Sequence, residues 1–110
     1  MAMTHEFGLI PEAPQPGARY DSYEPWEYNA ISIHDEYIEP LLPQLNTVDM
    51  FWHTVDVPGK GVAYCGITLI PPAAHHTILE IIRPKAALQE LTALVERAAE
   101  EEKYIIHFGL

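Results

Sequence analysis

Residues 49–70 read DMFWHTVDVPGKGVAYCGITLI, and the reading of this stretch decides the fold. Apolar, aromatic and β-branched side chains fill two runs, Asp49 to Val57 and Val62 to Ile70, the composition of paired strands. Between them Pro58-Gly59 is a type II turn signature, and Gly61 opens the second run. The stretch is therefore expected to fold as a β-hairpin.

Upstream, Ile31 and Ile33 alternate with Ser32 and His34 in Tyr28–His34, the period of a half-buried strand. Asp35 can cap a helix whose apolar face is Ile38, Leu41, Leu42 and Leu45. Pro40 and Pro43 remove backbone donors, so that helix should be short or irregular. Downstream, Pro71-Pro72 ends the hairpin. In segment 73–83, Ile78, Leu79, Ile81 and Ile82 suit a helix or a short buried strand, and the Pro-Pro-Ala-Ala entry favours helix. From Pro84, Leu88, Leu91, Leu94, Val95 and Ala98 form one amphipathic face to about Glu102. Tyr104–Phe108 is a last strand.

This order, strand-helix-strand-strand-helix-strand, is that of a ferredoxin-like βαββαβ sandwich. Residues 28–110 are expected to form a single α+β domain. Its four-stranded antiparallel sheet would have the spatial order 4-1-3-2, with both helical layers on one face. Ile31, Ile33, Ala63, Cys65, Ile67, Leu69 and Ile106 would face the helices. Ser32, His34, Phe51, His53, Tyr64, Gly66, Thr68, Ile105 and His107 would line an open face. A slip of one residue in any strand exchanges these sets.

Residues 1–27 read as an N-terminal extension without regular structure. Pro11, Pro14, Pro16 and Gly17 interrupt it, and Tyr20, Tyr23, Trp26 and Tyr28 follow among Asp21, Glu24 and Glu27. It is either a loose arm or one anchored along an apolar groove by its rings.

The chain has 110 residues, 48% of them hydrophobic, enough for one packed domain. Sixteen acids against six Lys and Arg leave a net charge of -10. Nucleic acid and anionic membrane surfaces are therefore rejected as partners, because binding to either needs cations. Cys65 is the only cysteine, so neither an internal disulfide nor a thiolate zinc site is available. The start Met1-Ala2-Met3-Thr4-His5-Glu6 lacks the basic, apolar pattern of a secretory signal, and no window reaches the roughly 20 apolar residues of a membrane span. The expected location is the cytoplasm.

No motif names an activity. The open face offers Ser32, His34, Phe51, His53, Tyr64, Thr68 and His107 as ligand-binding candidates, with a histidine as proton shuttle, or else is an ordinary polar-aromatic outer surface. In the 4-1-3-2 order His53 and His107 lie on opposite edge strands, roughly 14 Å apart, too far to share a metal. His34, Asp35, Glu36 and Glu39 gather carboxylates that suit a divalent cation, but acids at a helix start more simply satisfy its free N–H groups and macrodipole. No metal or cofactor is expected, since Gly59 and Gly61 belong to a hairpin rather than a phosphate loop. His75-His76 reads as an exposed loop pair, and Cys65 as a buried small hydrophobe.

Three functions fit these residues. The leading one is a small acidic binding or regulatory domain that uses the open face for a protein or small ligand, with homodimer formation in view. The second is a cofactor-independent enzyme with a pocket between two paired sheets and a histidine acid-base. The third is an acidic inhibitor or immunity-type protein, in which Tyr23, Trp26, Asp35, Glu36 and Glu39 meet a basic partner.

Overall fold

Alternation of His5, Phe7 and Leu9 with Thr4, Glu6 and Gly8 makes a strand of Thr4–Leu9 (β1), the first element of the computed structural model, which describes residues 3–110. Ile31–His34 (β2) leads into two short helices, Asp35–Ile38 (α1) and Leu42–Leu45 (α2), split by a 3-10 turn at Glu39–Leu41. Pro40 and Pro43 account for the split. Asp49–Trp52 (β3), Pro58–Lys60 (β4) and Ile67–Ile70 (β5) follow. Helices His75–Ile82 (α3) and Gln89–Glu101 (α4) then precede Ile105–Phe108 (β6). The fold is α+β, and no helix among the described residues is long and apolar enough to cross a membrane.

The sheet differs from the expected one. It has six antiparallel strands in the order β2-β1-β6-β5-β3-β4, not four in the order 4-1-3-2. Strand β1 inserts between β2 and β6, pairing with both, so residues 1–27 are not wholly without regular structure. Met1 and Ala2 of that expected extension lie outside the described residues. The prolines that spoke against structure begin only at Pro11, after β1 has ended.

The expected hairpin keeps its β3–β5 pairing, with Phe51 opposite Leu69. Its turn is elsewhere. His53 takes a left-handed backbone (φ 64) and ends β3, while Pro58 and Gly59 belong to edge strand β4, paired to β3 through Met50 and Phe51. An edge position is where a strand tolerates proline. Helix α4 likewise starts five residues after Pro84, following a 3-10 turn at Ala86–Leu88.

Both sheet faces are covered. Phe7, Ile33, Met50, Ile70 and Ile105 pack under the helices with Ile38, Leu79, Ile82, Leu91 and Val95. Ile67, Leu69, Ile106 and Phe108 face the other way, against Ile10, Tyr20, Tyr28 and Val55. The expected faces of β5 and β6 were thus one residue out of step: Thr68, Ile105 and His107 face the helices, and Ile67, Leu69 and Ile106 face outward. Every residue of β5 and β6 is buried, so neither strand carries the polar alternation that would have set its phase.

Candidate functional site

Where the outer layer stops, a groove of about 740 Å³ remains, within the range of ligand sites. Glu6 and Phe108 come from β1 and β6, Asp21 and Tyr23 from the arm, His53 from the loop after β3, and Cys65 and Gly66 from the loop before β5. Tyr23 stands edge-on to Phe108, with centroids 5.5 Å apart, and to Trp26 at 6.1 Å. The Tyr23 hydroxyl donates to Glu6 Oε1, a bond that raises the phenol's pKa. Among the described residues lining this groove there is no Lys or Arg.

His53 is held firmly at the groove wall. Its Nδ1 lies 3.0 Å from Asp21 Oδ1 and 3.2 Å from the Tyr20 carbonyl, so the proton belongs on Nδ1 and Nε2 is the acceptor. The ring approaches Gly66 so closely that a Cβ there would come within 3.0 Å of Nε2. Asp21 in turn bonds Arg19 at 2.7 Å, which, with smaller help from His53, lowers its pKa.

A second cluster lies on the helical side of the sheet, with Tyr64 half-buried at its edge. Tyr64 Oη donates to Asp35 Oδ2 at 2.7 Å, and His5 Nε2 lies 2.8 Å from Asp35 Oδ1. His5 Nδ1 meets His107 Nε2 at 2.8 Å, and His107 Nδ1 meets Thr68 Oγ1 at 3.3 Å. The Ala63 amide closes the chain on Thr68 Oγ1 at 2.7 Å. His5, His107 and Thr68 are wholly buried. Burial, helped by the neighbouring His5, pushes His107 down to about 3, so it is neutral. The hydrogen bonds from His5 and then Tyr64 lower the Asp35 pKa, and the same carboxylate pushes Tyr64 up to about 12.

The expected site residues therefore divide. Thr68, Tyr64 and His107 come together on the helical side of the sheet rather than on an open face, Thr68 and His107 wholly buried and Tyr64 half-buried. Of the ligand candidates only His53 lines the groove, while Phe51 packs in the outer layer and Ser32 and His34 are exposed on edge strand β2. His53 and His107 are not on opposite edges, since only β5 separates β3 from central β6. Among the partner candidates Tyr23, Trp26, Glu36 and Glu39 are exposed. Asp35 is not. It turns inward to His5, and His34 caps α1 instead, accepting the Glu36 amide at 3.1 Å.

Two further expectations are corrected. His75 is buried in α3 with Nε2 2.7 Å from the Lys103 carbonyl, whereas His76 is exposed. Cys65 is exposed at the groove rather than buried, because β5 begins two residues after it. His5 in the buried chain and Glu6 in the groove were left unassigned by the sequence reading. Their signal was the alternation of residues 4–9.

No family model matches the chain, and no match was found among curated proteins or solved structures. Among the described residues no group of three or more His, Cys, Asp or Glu is placed to hold a metal ion.

Proposed function

We propose that this protein is a small binding domain of the cytoplasm that grips a basic segment of a partner protein in the groove of its outer sheet face. One observation carries the reading: Glu6 and Asp21 share the groove with Tyr23 and Phe108, and among the described lining residues there is no Lys or Arg, Arg19 reaching Asp21 from outside the groove. Carboxylates and aromatic rings are complementary to ammonium and guanidinium groups, by charge and by cation–π attraction. Trp26, 66% exposed beside Tyr23, extends the aromatic surface and is flanked by Glu24 and Glu27. Exposed Trp and Tyr are the side chains that anchor protein interfaces. The net charge of -10 would speed encounter with a basic partner. An exposed, unpaired Cys65 suits a reducing compartment.

The arm also weighs against pairing two bare sheets, as a paired-sheet enzyme needs. Ile10, Tyr20, Tyr28 and Val55 occupy much of the outer face, and neither His107 nor Tyr64 lines the groove.

The test is a titration of ¹⁵N-labelled protein with an Arg- and Lys-rich peptide, against an acidic peptide of equal length. Shifts confined to Glu6, Asp21, Tyr23, Gly66 and Phe108, weakening as salt rises, are expected for the basic peptide alone. Shifts elsewhere, or equal binding of the acidic peptide, would refute the reading.

A further inference from the structure

One row of residues crosses the outer sheet face from strand to strand. Glu6 of β1 pairs with Phe108 of β6, Phe108 pairs with Ile67 of β5, and all three line the groove. Met3 adds to the apolar lining around them. Glu6 is half-buried there, and the Tyr23 hydroxyl donates to its Oε1. Among the described residues no Lys, Arg or His comes within salt-bridge distance of Glu6. Asp21, the other carboxylate of the groove, is engaged at both oxygens: His53 Nδ1 lies 3.0 Å from Oδ1 and Arg19 Nε lies 2.7 Å from Oδ2.

We propose that the groove holds one methylated lysine of the partner segment, its quaternary ammonium head facing the Glu6 carboxylate and its methyl groups against Tyr23 and Phe108. The proposal rests on the binding reading above and narrows its basic segment to one cation of stated chemistry. A lone carboxylate on an apolar floor is complementary to a ligand that is one charge inside an apolar shell, and an alkylated ammonium is such a ligand. Tyr23 supplies a ring that is 56% exposed, bonded to Glu6 and set at 77° to the ring of Phe108. The two rings therefore make a corner beside the carboxylate rather than a flat stack.

The acceptors of the walls select against cations rich in N–H donors. A guanidinium carries five such groups and binds a carboxylate best through both oxygens, and Glu6 Oε1 already accepts from Tyr23. In the turn before β5, Gly66 O is taken by the Gly109 amide at 2.7 Å and Tyr64 O by the Leu110 amide at 2.8 Å. Thr4 Oγ1 and His53 Nε2 remain, and the Ile67 amide approaches that Nε2 at 3.5 Å. An unmethylated ammonium, with three N–H groups, leaves water for fewer acceptors than it had. Each methyl group removes one of those donors and adds apolar surface against the rings, while the charge that faces Glu6 is kept. A neutral group of the same shape would cover the carboxylate without offsetting it.

The test is calorimetric titration of the intact protein with four peptides that differ at one position and are otherwise uncharged. That position holds lysine, trimethyllysine, arginine or the neutral carbon isostere of trimethyllysine, and ¹⁵N shifts of Glu6, Tyr23 and Phe108 locate the binding. Trimethyllysine is expected to bind about tenfold tighter than lysine or arginine, and about tenfold or more tighter than the isostere. Glu6→Gln should erase the difference between trimethyllysine and its isostere. The peptide series on the unaltered protein decides the matter even if that variant fails to fold. Lysine, arginine or the isostere binding in the groove as tightly as trimethyllysine would overturn the inference, and the first two would leave the binding reading standing. Free choline matching the trimethyllysine peptide would overturn the assignment to a protein segment. If no peptide shifts Glu6, Tyr23 and Phe108, the binding reading falls and the inference with it.

Discussion

His5 Nδ1 lies 2.8 Å from His107 Nε2, joining two imidazoles 102 positions apart inside the helical face of the sheet. Each ring is the other's polar partner, and the next links are Asp35 on one side and Thr68 on the other. Replacing His107 by Leu would leave His5 Nδ1 without a donor and the Thr68 hydroxyl without an acceptor, both buried. The expected cost is about 2–4 kcal/mol of stability, read as a lower urea midpoint at unchanged slope. A loss below about 0.5 kcal/mol would mean that the chain is not needed for stability.

Acid should destabilise the fold well before the carboxylates titrate. His107 in the folded protein binds no proton until about pH 3, whereas an unfolded imidazole takes one near 6.5, so protons favour the unfolded chain. Stability is full above about pH 6.5 and is lost progressively toward pH 3, by at most about 5 kcal/mol from this residue. Buried His75, also lowered by desolvation, adds in the same direction. Asp35, lowered from 3.8, adds its loss at still more acid pH. Denaturation at a series of pH values measures the slope, and His107→Gln should flatten it between about pH 6.5 and 4.

Trp26 offers the opposite test. Its ring is largely exposed, so Trp26→Ala should change stability by no more than about 0.5 kcal/mol. If it is an anchor for a basic partner, affinity should fall about tenfold or more. Unaltered affinity for the basic peptide would remove Trp26 from the interface.

Gly61 is required by its backbone. It has φ 74, donates to the Val48 carbonyl at 2.8 Å and accepts from Trp52 Nε1 at 2.9 Å. A Cβ would also run into Asn46, coming within 2.8 Å of its Cα. Gly61→Ala should therefore cost about 1–3 kcal/mol, seen as a lower melting temperature.

Cys65 should react with a thiol reagent in the folded protein, without denaturant, because it is exposed. A thiol that reacts only after unfolding would contradict its place at the groove.

The sequence by itself determined the α+β class, the broken helix at Pro40 and Pro43, the β3–β5 pairing and the amphipathic faces of α3 and α4. Those features rest on local rules: proline geometry, residue period and strand composition. It also determined the net charge of -10. Tertiary structure alone decided the strand order and which face each central strand presents. β1 lies more than 90 residues from its partner β6, and no local signal chooses between pairing β6 with β1 or with β2. Ile67–Ile70 and Ile105–Phe108 are apolar on both faces apart from Thr68 and His107, so their phase depended on what packed against them. The buried hydrogen-bonded chain shares that origin. His5, Asp35, Thr68 and His107 are unremarkable one at a time, and only the meeting of β1, α1, β5 and β6 places a carboxylate, two imidazoles and a hydroxyl in one hydrogen-bonded line.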